Sequence, residues 1–349
     1  MNEASSVVTL PGPEAFSADT EKAFFKNKRV LVTGATGFLG SALAAKLQAL
    51  EAIVVAVDRA PIPPKKLRAH SLEWHQGDCS HADFMARIVS GCEVVFSLSG
   101  RCGHWDSVLD PMGDIAANTL APLTVLEACR KWAPSAHVIY AGTRQVYGRC
   151  ITLPVKEDHP LAPLDPNGVH KMTSELHHLL YYKQHNLRTT VLRLTNTYGP
   201  TMRLAPPGHS FLGEWIRRLL SAQDLVVYGD GSQLRDLNYA EDAVDAFVRV
   251  ASYPNTATGE VFNLGGGEAR SLFEIARLLI ETSKTGSKVR MEKYPTGLQR
   301  IAIGSYRADT AKIRTRLGWT PQIRLEEGLR MTWDALSELR QGTPQRRIE

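Results

Sequence analysis

The chain has 349 residues, a length that fits two domains better than a single core or three. Apolar residues make up 43% and charged residues 22%, the mix of a soluble globular protein. A formal net charge of +5 is spread along the chain, and Lys65-Lys66, Arg217-Arg218 and Arg346-Arg347 are too short for a nucleic-acid arm, so no nucleic-acid partner is expected. The five cysteines (Cys79, Cys92, Cys102, Cys129, Cys150) form no CxxC pair and leave an odd count, which points to a reduced, cytoplasmic chain without a structural metal. His177-His178 and His185 fall on a polar helical stretch and read as surface histidines rather than metal ligands. No apolar run reaches the roughly 18 residues of a membrane span. The first 25 residues lack the apolar centre of a secretory signal. With Pro11-Gly12-Pro13 among them, residues 1–27 read as a loose N-terminal extension.

From Lys28 the chain alternates short β-branched runs with helical patterns. Val30-Leu31-Val32 predicts a buried strand, Ser41–Leu50 a helix, and Ile53–Val57 a second strand. A helix near Asp83–Val89, a strand at Val94-Val95-Phe96 and a helix over Asn118–Trp132 follow. Next come a strand at His137–Tyr140, a helix over Gly168–His185 and a strand at Thr190–Leu194. Buried apolar strands alternating with helices mean a parallel, doubly wound α/β sheet covered on both faces. After Pro200, loops such as Ala205-Pro206-Pro207-Gly208 and Gly229-Asp230-Gly231 separate shorter elements: a helix Phe211–Leu220, a strand Leu225–Tyr228 and a helix Leu272–Thr282. The expected division is a dinucleotide-binding domain over 28–200 and a mainly substrate-binding α/β region over 201–340. Residues 235–265, with a helix at Glu241–Val250, return in part to the first domain.

Thr33-Gly34-Ala35-Thr36-Gly37-Phe38-Leu39-Gly40 links the first strand directly to the first helix. Its glycines allow a tight turn and close approach of a pyrophosphate to the helix N-terminus, the arrangement of a Rossmann dinucleotide site. Asp58 ends the second strand, where its carboxylate can hold the adenosine ribose hydroxyls and repel a 2′-phosphate. NAD is therefore expected, although Arg59 beside it would tolerate NADP. Asp78, in Gly77-Asp78-Cys79 at the end of a third strand, reads either as an acceptor for the adenine amino group or as a helix N-cap.

In this loop the sequence resembles the extended short-chain dehydrogenase/reductases, in particular the NAD-dependent nucleotide-sugar epimerases and dehydratases. The spacing Gly34-x-x-Gly37-x-x-Gly40 is theirs, and the likeness runs from about Lys28 to Trp333. It continues through Val146-Tyr147-Gly148, Leu192–Pro200, Tyr228-Gly229-Asp230-Gly231 with Arg235-Asp236, Phe262-Asn263-Leu264-Gly265 and Leu317-Gly318-Trp319. The resemblance implies further cofactor contacts at Cys79, Leu98, Ser99, Asn118, Lys171 and Leu194. It also implies a nucleotide-sugar substrate whose diphosphate meets Asn196 and Arg235, with Arg300 as a second phosphate candidate. Tyr228 and the Phe211–Leu212 segment would hold the base. A guanidinium fork suits phosphate oxygens, while an ion pair with Asp236 or Asp242 is the competing role for Arg235.

By the same resemblance, the reaction centre is a hydroxyl residue plus a Tyr-x-x-x-Lys helix. Thr143 supplies the hydroxyl and Lys171 the ammonium that holds the nicotinamide ribose. The Tyr position, four residues before Lys171, is Asn167. An amide does not titrate near neutral pH and cannot serve as the base. Three readings follow: Asn167 positions water or sugar while Lys171 or His170 takes the proton; the reaction starts from a ketone; or the protein only binds. Related dehydratases carry an Asp-Glu pair directly after the hydroxyl residue, and related decarboxylases a Glu at the second of those positions. Here these are Arg144-Gln145, which disfavours both chemistries. The expected activity is epimerisation, at C4 through a transient keto-sugar. An NAD-linked dehydrogenase or ketoreductase and a non-catalytic NAD or sugar-nucleotide binder stand as alternatives. The helices around Asn118–Trp132 and Gly168–His185 resemble the pair that forms the family's dimer interface. Leu120, Leu123, Val125 and Leu126 are its apolar candidates, so a homodimer is expected.

Overall fold

The computed structural model describes residues 16–61, 72–204 and 210–341. Pro11-Gly12-Pro13, Lys65-Lys66, the 205–208 loop and Arg346-Arg347 lie outside the described residues. The strands in chain order are β1 (Arg29–Thr33), β2 (Ile53–Asp58), β3 (Leu72–Gln76), β4 (Val94–Ser97), β5 (His137–Thr143) and β6 (Arg188–Leu194). They continue with β7 (Asn196–Tyr198), β8 (Leu225–Tyr228), β9 (Leu234–Tyr239), β10 (Val261–Asn263), β11 (Ala269–Ser271) and β12 (Val289–Glu292).

Seven strands form one sheet in the order β10-β6-β5-β4-β1-β2-β3, with every pairing parallel. Alternation along β1 explains why both faces are covered. Val30 and Val32 join Val54, Ala56 and Phe96 against Leu43 and Leu47 of the helix Phe38–Ala49. Leu31 points the other way, into a layer with Val55, Val95, Val138, Val125 and Leu126. The first face also takes the helix Ala240–Ser252, whose Phe247 meets Phe96 edge to face at 6.1 Å. That helix and β10 therefore lie on the large sheet. β9 instead forms a three-stranded sheet, β11-β9-β7, and β8 pairs with β12. A separate apolar core gathers Trp215, Ile216, Ile275, Leu279 and Leu329 under these smaller sheets.

Two expectations need correction. Residues 16–27 are not loose where they are described: the helix Ala18–Phe25, capped by Ser17, buries Phe25 fully, and Glu21 pairs with Arg249 at 2.6 Å. The cause is the Phe24-Phe25 pair, which gives this short helix an apolar side. His178 is a core residue, not a surface one. Its ring stacks on Tyr140 at 4.6 Å, Nδ1 lies 2.7 Å from the Ser174 carbonyl, and burial pushes its pKa down to about 4. The 20-residue helix Pro166–His185 begins with Asp165 accepting from the Gly168 N–H and Pro166 in the first turn. It ends at Asn186 in the left-handed conformation.

Candidate active site

The glycine loop, the end of β2 and the end of β4 meet at the carboxyl edge of the sheet, the crevice where open α/β folds bind ligands. Gly34 has φ +68, and a Cβ on Gly40 would stand 2.1 Å from the Gly34 carbonyl, so a side chain there is excluded by backbone. Gly37 caps the helix that carries Phe38, Leu39 and Gly40, and no side-chain cap hydrogen bond is made to it among the described residues. The Asp58 carboxylate accepts from Thr36 N at 2.9 Å and from Ala60 N at 3.2 Å, which joins the loop to β2. Leu98 N and Ser99 N both donate to Thr33 Oγ1, holding the end of β4 against Gly34. Asp78 Oδ1 accepts from Ser80 N and Oγ, while the N-cap of the following helix is His81, not Asp78. The Cys79 thiol is buried and pushed up to about 12 by desolvation, so it packs rather than reacts. Arg59 is exposed next to these groups.

Lys171 reaches the same crevice from the long helix. Its Nζ donates to the Ala141 carbonyl at 3.1 Å, and burial pushes its pKa down. Asn118 sits on a π-helical turn, Ala116–Leu120, the wide geometry that often marks functional positions. Its Oδ1 accepts from Arg101 N, whereas its Nδ2 and the Ser99 hydroxyl are buried with no partner among the described residues. Gly100 backs onto both Asn118 and Lys171, with Asn118 Oδ1 2.6 Å from where its Cβ would be. Unsatisfied buried donors beside a lysine, a glycine cradle and an acid at the end of β2 fit a dinucleotide along the whole crevice. Leu194 closes it opposite Thr143, its register partner between β6 and β5.

Asn167 is 1% exposed, and its amide is occupied by protein: Nδ2 donates to the Arg101 carbonyl at 2.9 Å and to Asp114 Oδ2 at 3.1 Å. Asp114, also buried, holds His170 Nδ1 at 2.7 Å through its other oxygen. The Tyr position has thus become part of a buried Asn–Asp–His cluster on a wall of the site. Asp114 was not legible in advance, because nothing in the sequence ties it to Asn167.

On the substrate side, Arg144 Nη2 donates to Asn196 Oδ1 at 2.8 Å, and the guanidinium lies 5.1 Å above the Tyr306 ring. Its Nη1 is buried without a partner among the described residues. Arg235 Nη1 donates to the Leu234 and Gly304 carbonyls and Nη2 to Gln233 Oε1. Burial, then the nearby Arg144 charge, push its pKa down to about 10. The ion pair expected as the competing role is not formed. Asp236 instead accepts from Gly266 N and Ala308 N, and Asp242 from Gln322 N and Ile323 N. Two guanidiniums with no carboxylate partner among the described residues thus share this wall, which suits an anionic ligand. Arg144 is a residue the sequence reading missed as a binder; its position directly after Thr143 was the available signal.

A cleft of about 400 Å³ opens beside them, lined among others by Cys150, Gln233, Tyr294 and Gly304. Tyr294 packs 5.6 Å from Tyr228. Arg300 is exposed on the helix Thr296–Ile301, between Gln299 and Ala302 of the cleft lining. Phe211 is half-buried against Trp215, whereas Leu212 is 2% exposed in the small core, so its side chain packs inward rather than toward a base. Among the described residues no cluster of potential metal ligands forms, and no helix is long and apolar enough to cross a membrane.

Residues 30–265 match the NAD dependent epimerase/dehydratase family. The chain belongs to that family. UDP-glucose 4-epimerase of Mycolicibacterium smegmatis is 30% identical over 311 residues, covering 87% of this chain and 97% of that protein. UDP-glucuronic acid decarboxylase 1 of Xenopus tropicalis is 26% identical over 87% of this chain and 71% of the relative. Among solved structures, MoeE5 in complex with UDP-glucuronic acid and NAD superposes with a TM-score of 0.80 at 30% identity, over 89% of this chain and 99% of that one. The cofactor is NAD, as the family and this neighbour show. When bound, NAD supplies the acceptor and donor of hydride. The family's members are sugar-nucleotide enzymes of more than one reaction type, so the reaction rests on this chain's own residues.

Proposed function

We propose that this family member epimerises a nucleotide sugar at C4 through a transient keto-sugar, with NAD reduced and reoxidised inside each turnover. One juxtaposition carries the reading: Thr143 and Lys171 stand at the cofactor end of β5, while the two positions after Thr143 hold no carboxylate. Arg144 is bonded to Asn196, and Gln145 turns back so that its N–H donates to Thr143 Oγ1 at 3.2 Å. Neither can supply the acid chemistry that elimination of water or loss of carbon dioxide requires. Relatives that act on UDP-sugars make a UDP-hexose or UDP-hexuronate the first substrate class to try.

A non-catalytic binder is the second reading, favoured by the commitment of the Asn167 amide to Arg101 and Asp114. Absorbance at 340 nm, followed with sugar nucleotide and excess free NAD, separates the cases. Epimerisation leaves net NADH unchanged while sugar turns over, whereas a one-way dehydrogenase accumulates NADH in step with product. Binding without either signal supports the binder. We also propose that the protein is a homodimer through the helices Ala121–Trp132 and Pro166–His185.

A further inference from the structure

We propose that His104, oriented by Asp165, is the catalytic residue that takes the sugar hydroxyl proton in place of the missing Tyr; this rests on the epimerase reading. The other candidates are less open to a substrate. The Asn167 amide is bonded to Arg101 and Asp114, His170 sits on Asp114 with its side chain only 14% exposed, and the Lys171 ammonium is buried on the Ala141 carbonyl.

His104 is differently placed. It opens the short helix His104–Leu109 just after the loop that carries Ser99 and Gly100, and its side chain is 36% exposed. Asp165 lies behind it with a side chain 1% exposed, its Oδ2 3.2 Å from His104 Nδ1. The other Asp165 oxygen caps the long helix at Gly168 N, 2.7 Å away, so the carboxylate is fixed. Among the described residues Oδ2 makes no hydrogen bond, so the carboxylate acts on the ring through its charge, which favours a proton on Nδ1 and leaves the lone pair on Nε2. Gln145 Nε2, on the turn that closes onto Thr143 Oγ1, lies 2.8 Å from His104 Nε2 and 3.0 Å from Nδ1. Gln145 Oε1 is buried with no partner among the described residues, an acceptor available to a second sugar hydroxyl. A sugar hydroxyl that replaces the Gln145 amide N–H meets the His104 lone pair beside Thr143.

The step balances. The sugar O–H bond breaks with its proton passing to His104 Nε2, and the O–H electron pair forms the carbonyl. The C–H hydrogen leaves with its electron pair to NAD. Return of the hydride to the other face of the carbon and of the proton to the oxygen restores NAD and His104, with no net redox change.

The test uses the whole protein with NAD and the sugar nucleotide that the wild type converts. His104→Gln is expected to lower kcat by about 10²–10⁴-fold with substrate affinity within about threefold, read by calorimetry. Asp165→Asn keeps the ring but replaces its orienting carboxylate, and covers the case in which His104→Gln does not fold. Long-range ¹H–¹⁵N spectra are expected to show Nδ1-protonated His104 in the wild type and loss of that preference in Asp165→Asn. Wild-type kcat in both variants, an affinity loss equal to the rate loss, or an unchanged tautomer would overturn the proposal. A wild type inert toward every sugar nucleotide would instead remove the epimerase reading itself.

Discussion

Asp114 Oδ2 accepts a hydrogen bond from Asn167 Nδ2 at 3.1 Å, and both residues are buried. The position that carries a phenol in the resembling enzymes is here one half of a buried polar pair, with His170 on the other carboxylate oxygen. Asn167→Leu keeps approximate volume but strips Asp114 of one donor. The expected cost is about 1–3 kcal/mol in urea denaturation, while kcat falls by less than the roughly 10²-fold that loss of a general base brings. A large rate loss with unchanged stability would return Asn167 to the reaction centre.

Asp58 links β2 to the glycine loop through Thr36 N and Ala60 N, and we propose that it holds the adenosine ribose of NAD, where its charge repels a 2′-phosphate. In Asp58→Ser the ratio of NADP to NAD affinity should rise by about tenfold or more, because like-charge repulsion is removed. Calorimetric titration with both dinucleotides measures it, and an unchanged ratio would place the selectivity elsewhere.

His178 is held neutral by burial, its pKa lowered from the ordinary 6.5 to about 4. Between those values the unfolded chain binds a proton that the fold does not. Its contribution is therefore fully present above pH 6.5 and is lost as pH falls toward 4. His178→Phe keeps a ring against Tyr140 and removes the titration. The stability of wild type relative to this variant should decline on acidification across that window, by at most about 1.4 kcal/mol per pH unit. A pH-independent difference would show that His178 does not titrate as its burial requires.

Leu176 and Leu180 of the long helix are 49% and 42% exposed, and Leu120, which ends the π turn before the helix Ala121–Trp132, is 50% exposed. Val125 and Leu126, the other half of the expected interface, are fully buried within the chain and unavailable to a partner. These exposed residues form the seam of the homodimer proposed above. Light scattering should give a dimer for the wild type and a monomer for Leu176→Glu, and a monomeric wild type would remove the proposal.

Regular elements were legible because their signals are local. The glycine spacing, the apolar run of β1 and the acid ending β2 lie close together in sequence, and the crevice they form follows from the parallel order. Helix ends were less legible: Asn118 was expected to open a helix but sits in a π turn between Pro111–Ile115 and Ala121–Trp132. The site's unusual part was not legible, because its contacts are long-range. Asn167 and Asp114 are 53 residues apart and Arg144 and Asn196 are 52 apart, and no periodicity encodes such pairs. His178 misled for a related reason: a histidine in a polar-looking stretch gives no hint that Tyr140 stacks on it from the strand beneath.

Proton NMR of the protein incubated with NAD and a panel of UDP-, GDP-, CDP- and dTDP-sugars decides whether it is a C4 epimerase. The expected result is a new anomeric signal set, that of the C4 epimer of one sugar, rising to equilibrium with no net NADH. Bound but unchanged sugars across the panel, or a product that forms only as NADH accumulates, would contradict it.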